Sequence, residues 1–135
     1  MADVAYLALG SNLGDRQEHL RVARERIAGL AQTRIVAESA VEETEPIGPS
    51  GQGRYLNQMI AVETSLEPQT LLAELQEIER ARGRVRDEHW GPRTLDIDIV
   101  LIEGLTRDEP ELTIPHPELA RRDFWLRELA QVRVT

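Results

Sequence analysis

The sequence predicts an α+β fold, a ferredoxin-like α/β sandwich in which helices pack on an antiparallel sheet. Two observations predict it. The apolar pattern switches between a strand period of two and a helical period in the order β-α-β-β-α-β. No repeat, low-complexity tract or linker interrupts the 135 residues, a length that suits one domain with a real core. Residues 1–135 are therefore expected to form a single domain.

Val4 to Leu9 is an apolar, β-prone run that ends in the turn GSNLGD. Asp15, with Glu18 three residues on, resembles a capping box. Leu20, Ala23, Ile27 and Leu30 follow at helical spacing, so 15–30 reads as a helix with one buried stripe. Thr33 to Glu43 alternates imperfectly and reads as a strand. Segment 45–53, EPIGPSGQG, carries two Pro and three Gly and must be a loop, long enough to suggest function rather than a tight hairpin.

Tyr55 to Thr64 is a strand with Leu56, Ile60 and Val62 on one face and Asn57, Met59 and Ala61 on the other. Pro68 can open a second helix and Gly83 can close it. Leu71, Leu75 and Ile78 form its core stripe, while Gln76 and Glu79 lie three apart on a more polar side. Segment 84–92 is irregular. In the strand that follows, Leu95, Ile97, Ile99 and Leu101 share one face, and Thr94, Asp96, Asp98 and Val100 the other. IPHPEL sets His116 between two prolines, and LARRDFWLRELAQV closes the chain as a helix or a turn plus helix.

Composition excludes several chemistries. There is no cysteine, so disulfides, thiolate zinc sites and thiol nucleophiles are absent. All sixteen basic residues are Arg, which removes the Lys of a Walker A loop, of a protein-kinase site and of Schiff-base catalysis. A net charge of −8 and a pI of about 4.9 argue against affinity for nucleic acid or acidic membranes. The N-terminus lacks a signal-peptide layout, and no apolar run approaches the ~20 residues that span a bilayer. A cytoplasmic protein is expected, with no nucleic-acid or membrane partner.

Asp96 and Asp98 carry the strongest chemical signal. Carboxylates two apart on a strand have Cβ atoms about 6–7 Å apart, twice the strand rise, and two ionised carboxylates on one half-buried face repel each other. They can converge on one or two hard cations of the kind used in phosphoryl and nucleotidyl transfer, or they can be ordinary aspartates on a solvent-facing edge strand. Arg80, Arg82, Arg84, Arg86 and Arg93 fall within fourteen positions. Arg84, Arg86 and Arg93 are candidates for bidentate phosphate contacts. Arg80 and Arg82 read as a solvated helix end favoured by the helix dipole.

Other residues leave two readings open. His116 is either a packed loop histidine or a phosphate donor. Asn57 either braces a turn or reads the polar edge of a flat ligand. Tyr55 and Phe124 are core aromatics or stacking partners. His19 is expected on the exposed side of the first helix, and GSNLG is expected to shape a turn rather than to hold phosphate.

The segments ALGSNLGDR, ETEPIG, YLNQMIAVET, GRVR, WGPRTLDIDIVLI and IPHPELARRDFWL, in this order, together resemble the 6-hydroxymethyl-7,8-dihydropterin pyrophosphokinase family of folate biosynthesis. The resemblance runs from Val4 to Leu129. It implies the same ferredoxin-like fold and Mg²⁺-dependent transfer of the β,γ-pyrophosphoryl unit of ATP to the pterin hydroxymethyl oxygen, releasing AMP. It implies that Asp96 and Asp98 hold two Mg²⁺ ions, that Arg84 and Arg93 act on the phosphates, and that Gln76, Glu79, Arg86, Trp90, Ile99, His116 and Arg122 lie on the ATP side. Asn57 would hydrogen-bond the pterin, Tyr55 and Phe124 would sandwich it, and Thr44, Pro46 and Ile47 would line its pocket. Closure of 45–53 and 84–92, with Trp90 on the second loop, would exclude water. A monomer is expected.

Two departures from the family pattern stand out. Asp87-Glu88-His89 replaces a segment that is often basic and reads one residue short, which bears on loop closure and turnover. The chain ends at Thr135 where some relatives continue, which bears on stability. The alternatives are a catalytically impaired pterin- or nucleotide-binding paralogue and a different Mg²⁺-dependent nucleotidyl or phosphoester enzyme.

Overall fold

The structure, a computed structural model, describes residues 2–45, 53–83 and 94–134. Strands β1 (Asp3–Ser11), β2 (Thr33–Glu38), β3 (Glu42–Thr44), β4 (Tyr55–Thr64) and β5 (Asp96–Ile102) form one sheet in the order β2-β4-β1-β5, with β3 also on β4. All of its pairings are antiparallel. Helices α1 (Arg16–Ala28) and α2 (Pro68–Ala81) follow β1 and β4, so the order is β-α-β-β-β-α-β, one strand more than the expected β-α-β-β-α-β. A hairpin of β6 (Arg107–Glu109) and β7 (Leu112–Ile114), a 3-10 turn at Leu119–Arg121 and helix α3 (Asp123–Val132) complete the chain. Among the described residues no helix is long and apolar enough to cross a membrane.

β1 is buried almost throughout because both faces of the sheet are covered, which is why its sequence is a continuous apolar run rather than an alternating one. Leu7 and Leu9 meet Leu20, Ala23 and Ile27 of α1 and Leu71, Leu75 and Ile78 of α2 in the larger core. Each fully buried Leu or Ile among them contributes roughly 1.5–3 kcal/mol. The opposite face of β1, with Tyr6 and Ala8, packs with Met59 and Ala61 against Trp125, Leu129 and Val132 of α3. The α1 cap forms as expected, the Glu18 amide donating to Asp15 Oδ1 at 3.2 Å. At the end of α2, Gly83 takes φ +81°, the left-handed region open to glycine.

Three sequence expectations are corrected. The strand expected over Thr33–Glu43 divides into β2 and β3. Between them the hydroxyl of Ser39 accepts the Met59 amide at 2.9 Å, and the Ser39 amide donates to the Met59 carbonyl at 2.9 Å, so the break stays hydrogen-bonded to β4. In β5 the pairing skips Val100: Leu7 faces Ile99, and Tyr6 faces Leu101. This bulge turns the side chains over, so Ile102 rather than Leu101 rejoins Ile97 and Ile99 in the larger core, and Leu101 sides with Val100 beneath α3. His19 is half-buried rather than surface: Arg82 Nε donates to its Nδ1 at 3.0 Å, tying α1 to α2.

Candidate active site

Below α3 the second face of the sheet changes character within one row. Ala8 stands between Met59 of β4 and Asp98 of β5, and the next row holds Gly10 between Asn57 and Asp96. Asp96 and Asp98 therefore share the face that their spacing predicts, half-buried, at the end that α3 leaves uncovered. β5 is an edge strand, and two groups engage its outer side. The buried Glu79 carboxylate of α2 accepts the Ile97 amide at 2.7 Å, between the two aspartates. The His116 amide donates to the Val100 carbonyl at 2.8 Å. The bulge thus lends its carbonyl to the segment that carries His116, whose Nε2 lies 3.8 Å from Asp98 Oδ1.

Across the sheet, Thr44 faces Tyr55 and Glu42 faces Asn57. Asn57 is 7% exposed, and its Nδ2 donates to Thr44 Oγ1 at 2.6 Å. That bond leaves the Asn57 side chain held against the strand that ends at Thr44. A side chain at Gly10 would begin 3.5 Å from both Asn57 Oδ1 and the Tyr55 ring, so glycine keeps the floor between Asn57 and Asp96 open. The GSNLGDR segment ties down both strand ends here: Arg16 donates at 2.8 Å to the Glu43 carboxylate and at 2.8 Å to the Arg54 carbonyl, and Asn12 Nδ2 donates to the Gly53 carbonyl at 3.2 Å. Its expected turn is therefore also a brace between β3 and β4.

At the start of α3, Trp125 is 2% exposed and meets three of the expected site residues. The His116 ring stands edge-on to it, with centroids 4.9 Å apart and an 89° interplanar angle. The Arg122 guanidinium lies 4.4 Å from its ring centroid, and the Phe124 ring is 6.3 Å away. His116 Nδ1 accepts the Glu118 amide at 3.0 Å, which assigns the imidazole proton to Nε2, the nitrogen nearer Asp98. Burial first, and then the Arg122 charge, hold the His116 pKa below its ordinary value. The neutral imidazole is the form that Nδ1 acceptance requires.

A cleft of about 240 Å³ opens between α2, β5 and the β6–β7 hairpin. Asp98, Ile99 and His116 line it as the sequence suggests, joined by Leu72, Leu112 and Thr113. Gln76 stands half-buried one turn along α2 from Leu72. Leu72, the hairpin residues and Trp125 are absent from the sequence-based set. Only the strand-like ELTI before IPHP hinted at the hairpin, and Leu72 and Trp125 are indistinguishable from core residues in a single sequence. Pro46, Ile47, Arg84, Arg86, Trp90 and Arg93 lie outside the described residues.

Asp96 and Asp98 could hold a hard cation: their carboxylates share one half-buried face of β5, and Mg²⁺ characteristically takes one or two protein carboxylates, with water and phosphate oxygens completing its shell. Among the described residues no three His, Cys, Asp or Glu side chains form a group that could hold a metal by themselves.

Comparison with known proteins shows the family of the chain. The family model of 7,8-dihydro-6-hydroxymethylpterin-pyrophosphokinase matches residues 6–134. The chain is 43% identical over 132 residues to the 2-amino-4-hydroxy-6-hydroxymethyldihydropteridine pyrophosphokinase of Pseudomonas aeruginosa, covering 98% of this chain and 82% of that one. It is 40% identical over 132 residues to the enzyme of the same name from Bacillus subtilis, covering 98% and 79%. Among solved structures, a wild-type Plasmodium falciparum HPPK-DHPS with pterin and p-hydroxybenzoate superposes with a TM-score of 0.70 at 14% identity, over 97% of this chain and 39% of that one. That likeness concerns the fold, and this chain spans about two fifths of the larger protein's length.

Proposed function

Because the chain belongs to the 7,8-dihydro-6-hydroxymethylpterin-pyrophosphokinase family of folate-biosynthesis enzymes, we propose that it transfers the β,γ-pyrophosphoryl unit of ATP to the hydroxymethyl oxygen of 6-hydroxymethyl-7,8-dihydropterin. The bond between the α,β-bridging oxygen and the β-phosphorus breaks, a new bond forms from the pterin oxygen to that phosphorus, and AMP leaves. The hydroxyl proton passes to solvent. The observation that supports this most is the row Asp96–Gly10–Asn57, which sets a carboxylate and a buried amide on one face with a single glycine between them, Asp98 following in the next row.

In this reading Asp96 and Asp98 hold two Mg²⁺ ions, which when bound neutralise phosphate charge and orient the phosphates and acceptor. The cleft beside Ile99 and His116 receives the nucleotide, with Leu72 and Leu112 offering apolar surface to a base and Thr113 a hydroxyl. Gln76 and Glu79 of α2, and Arg122 at the cap of α3, are assigned to the nucleotide as well. His116, protonated at Nε2, donates to an anionic oxygen near Asp98 without adding a carboxylate-neutralising charge. Arg84, Arg86 and Arg93 contribute guanidinium forks to the phosphates, with Arg84 and Arg93 acting on the transferring group, and Trp90 joins the nucleotide side.

On the acceptor side, Asn57 presents its amide to the polar edge of the pterin, fixed by its bond to Thr44. Tyr55 and Phe124 stack on the ring, and Pro46 and Ile47 line the pocket. Both substrates are thereby held on one rigid sheet, so that transfer needs in-line approach and charge stabilisation rather than a protein nucleophile. We further propose a single cytoplasmic domain acting as a monomer.

The test is product analysis with purified protein, Mg²⁺, ATP and 6-hydroxymethyl-7,8-dihydropterin. Pterin-dependent AMP with the pterin pyrophosphate is expected. ADP as the product overturns the assignment of the phosphorus attacked. Binding of both substrates without either product favours a silent paralogue, which the acidic Asp87-Glu88 pair would then explain.

A further inference from the structure

We propose that Trp125 is a positioning residue for the nucleotide side of the site, a role that rests on the function proposed above. The indole sits beneath the first turn of α3, 2% exposed, in the smaller core with Met59, Val100 and Leu129. A tryptophan in such a place serves packing alone unless its ring also orders polar groups. Here it orders two. His116 stands edge-on to it at 4.9 Å, and Arg122 lies over it at 4.4 Å.

Each contact is electrostatically sensible. The negative face of an indole attracts a guanidinium without setting a full opposing charge beside it, as a carboxylate would. A guanidinium held over an aromatic ring can keep its in-plane N–H groups for a phosphate. The T-shaped histidine contact is a preferred ring geometry. It acts together with the Glu118 amide on Nδ1 and the Val100 carbonyl on the His116 amide. Those two hydrogen bonds place the histidine, and the indole sets the rotation that aims Nε2 towards Asp98.

One rigid side chain therefore fixes the relative position of an imidazole donor and a guanidinium that come from different segments, 114–119 and the cap of α3. Phenylalanine is narrower and has a weaker quadrupole, and leucine has none. Neither replaces the indole, although both are apolar enough to stay in the core.

The experiment measures affinity for magnesium α,β-methylene-ATP and, separately, for 6-hydroxymethyl-7,8-dihydropterin by calorimetry, in the wild type, Trp125→Phe and Trp125→Leu, with Tm recorded for each. Trp125→Leu is expected to weaken nucleotide binding about tenfold, the effect of losing a partly desolvated cation–π contact together with a ring contact. Trp125→Phe is expected to fall between it and the wild type. Pterin affinity should fall less than nucleotide affinity in both, because the indole lies closer to His116 and Arg122, at 4.9 and 4.4 Å, than to the Phe124 ring, at 6.3 Å. Unchanged nucleotide affinity in a folded Trp125→Phe and Trp125→Leu overturns the proposal, and so does an equal loss of both ligands, which would mark a structural role only. If Trp125→Leu fails to fold, Trp125→Phe decides alone. A wild type that binds the nucleotide analogue but makes no AMP sinks the transfer reaction and leaves this inference standing. A wild type that binds no nucleotide overturns both.

Discussion

Asn57 and Asp96 face each other across a single residue: both are register partners of Gly10, one on each side of β1. Two antiparallel spacings of about 4.8 Å separate them, so a ligand bound at Asn57 and a cation bound at Asp96 meet above the same glycine. That relationship links the two halves of the candidate site through β1, a strand with neighbours on both sides.

Asp96→Ala and Asp98→Ala should each lower AMP formation by at least about a hundredfold, the scale of losing a charge-stabilising group in a transfer reaction. The fold should persist, with Tm equal to or slightly above that of the wild type, since two like charges on a half-buried face repel. Turnover near the wild-type rate in both variants would overturn the metal assignment.

Asn57→Ala removes the donor to Thr44 Oγ1 and should cost about 1–2 kcal/mol of stability, as for a lost buried hydrogen bond. Its larger effect should be on pterin affinity, weakened about tenfold or more, with nucleotide affinity unchanged. Calorimetry with each ligand separates the two. Equal losses for both ligands would contradict the pterin role.

Gly10 tests the shared floor. A methyl group there would meet Asn57 and Tyr55 at ordinary contact distance, so Gly10→Ala should fold and gain about 0.5 kcal/mol from reduced chain entropy. Gly10→Val extends the side chain further onto Asn57 and Tyr55, and should weaken pterin binding about tenfold while lowering Tm by several degrees, since overpacking costs about 1–3 kcal/mol. Wild-type pterin affinity in Gly10→Val would show that the ligand does not lie over this row.

Glu128 of α3 is buried, and no hydrogen-bond donor among the described residues meets either carboxylate oxygen. Burial first, and then the Glu42 carboxylate, push its pKa up to about 9, with Arg127 opposing. The folded chain therefore keeps a proton between pH 4.5 and about 9 that the unfolded chain releases, so Glu128 subtracts stability as pH rises through that window. Glu128→Gln removes this dependence. Thermal melts should show Tm raised by about 5 °C at pH 8 and scarcely changed at pH 4.5. An equal shift at both values would mean that packing, not ionisation, carries the effect.

Much of the site was legible residue by residue. Alternation alone puts Asp96 and Asp98 on one face of β5, and Asn57 on the face of β4 opposite Leu56 and Ile60, because a strand has a period of two wherever it lies. Asp15 and Gly83 announced the ends of their helices through local hydrogen bonding and backbone freedom. Trp125 and Glu79 gave no comparable signal. A tryptophan at helical spacing reads as core, and a Glu on a helix reads as solvated until the helix is packed against an edge strand.

What the sequence by itself determined is the succession of strand and helix segments, the faces of each strand before any irregularity, and the helix ends at Asp15 and Gly83. Local sterics and side-chain chemistry set all of these within a few residues. Only the tertiary structure decided that the chain breaks at Ser39, that β5 bulges at Val100 so that Ile102 replaces Leu101 in the larger core, and that Gly10 stands between Asn57 and Asp96. Those are matters of register, which depends on which strands meet and how their hydrogen bonds align across distant parts of the chain. A one-residue slip in that alignment would reverse every face, and no local pattern in β5 specifies the slip.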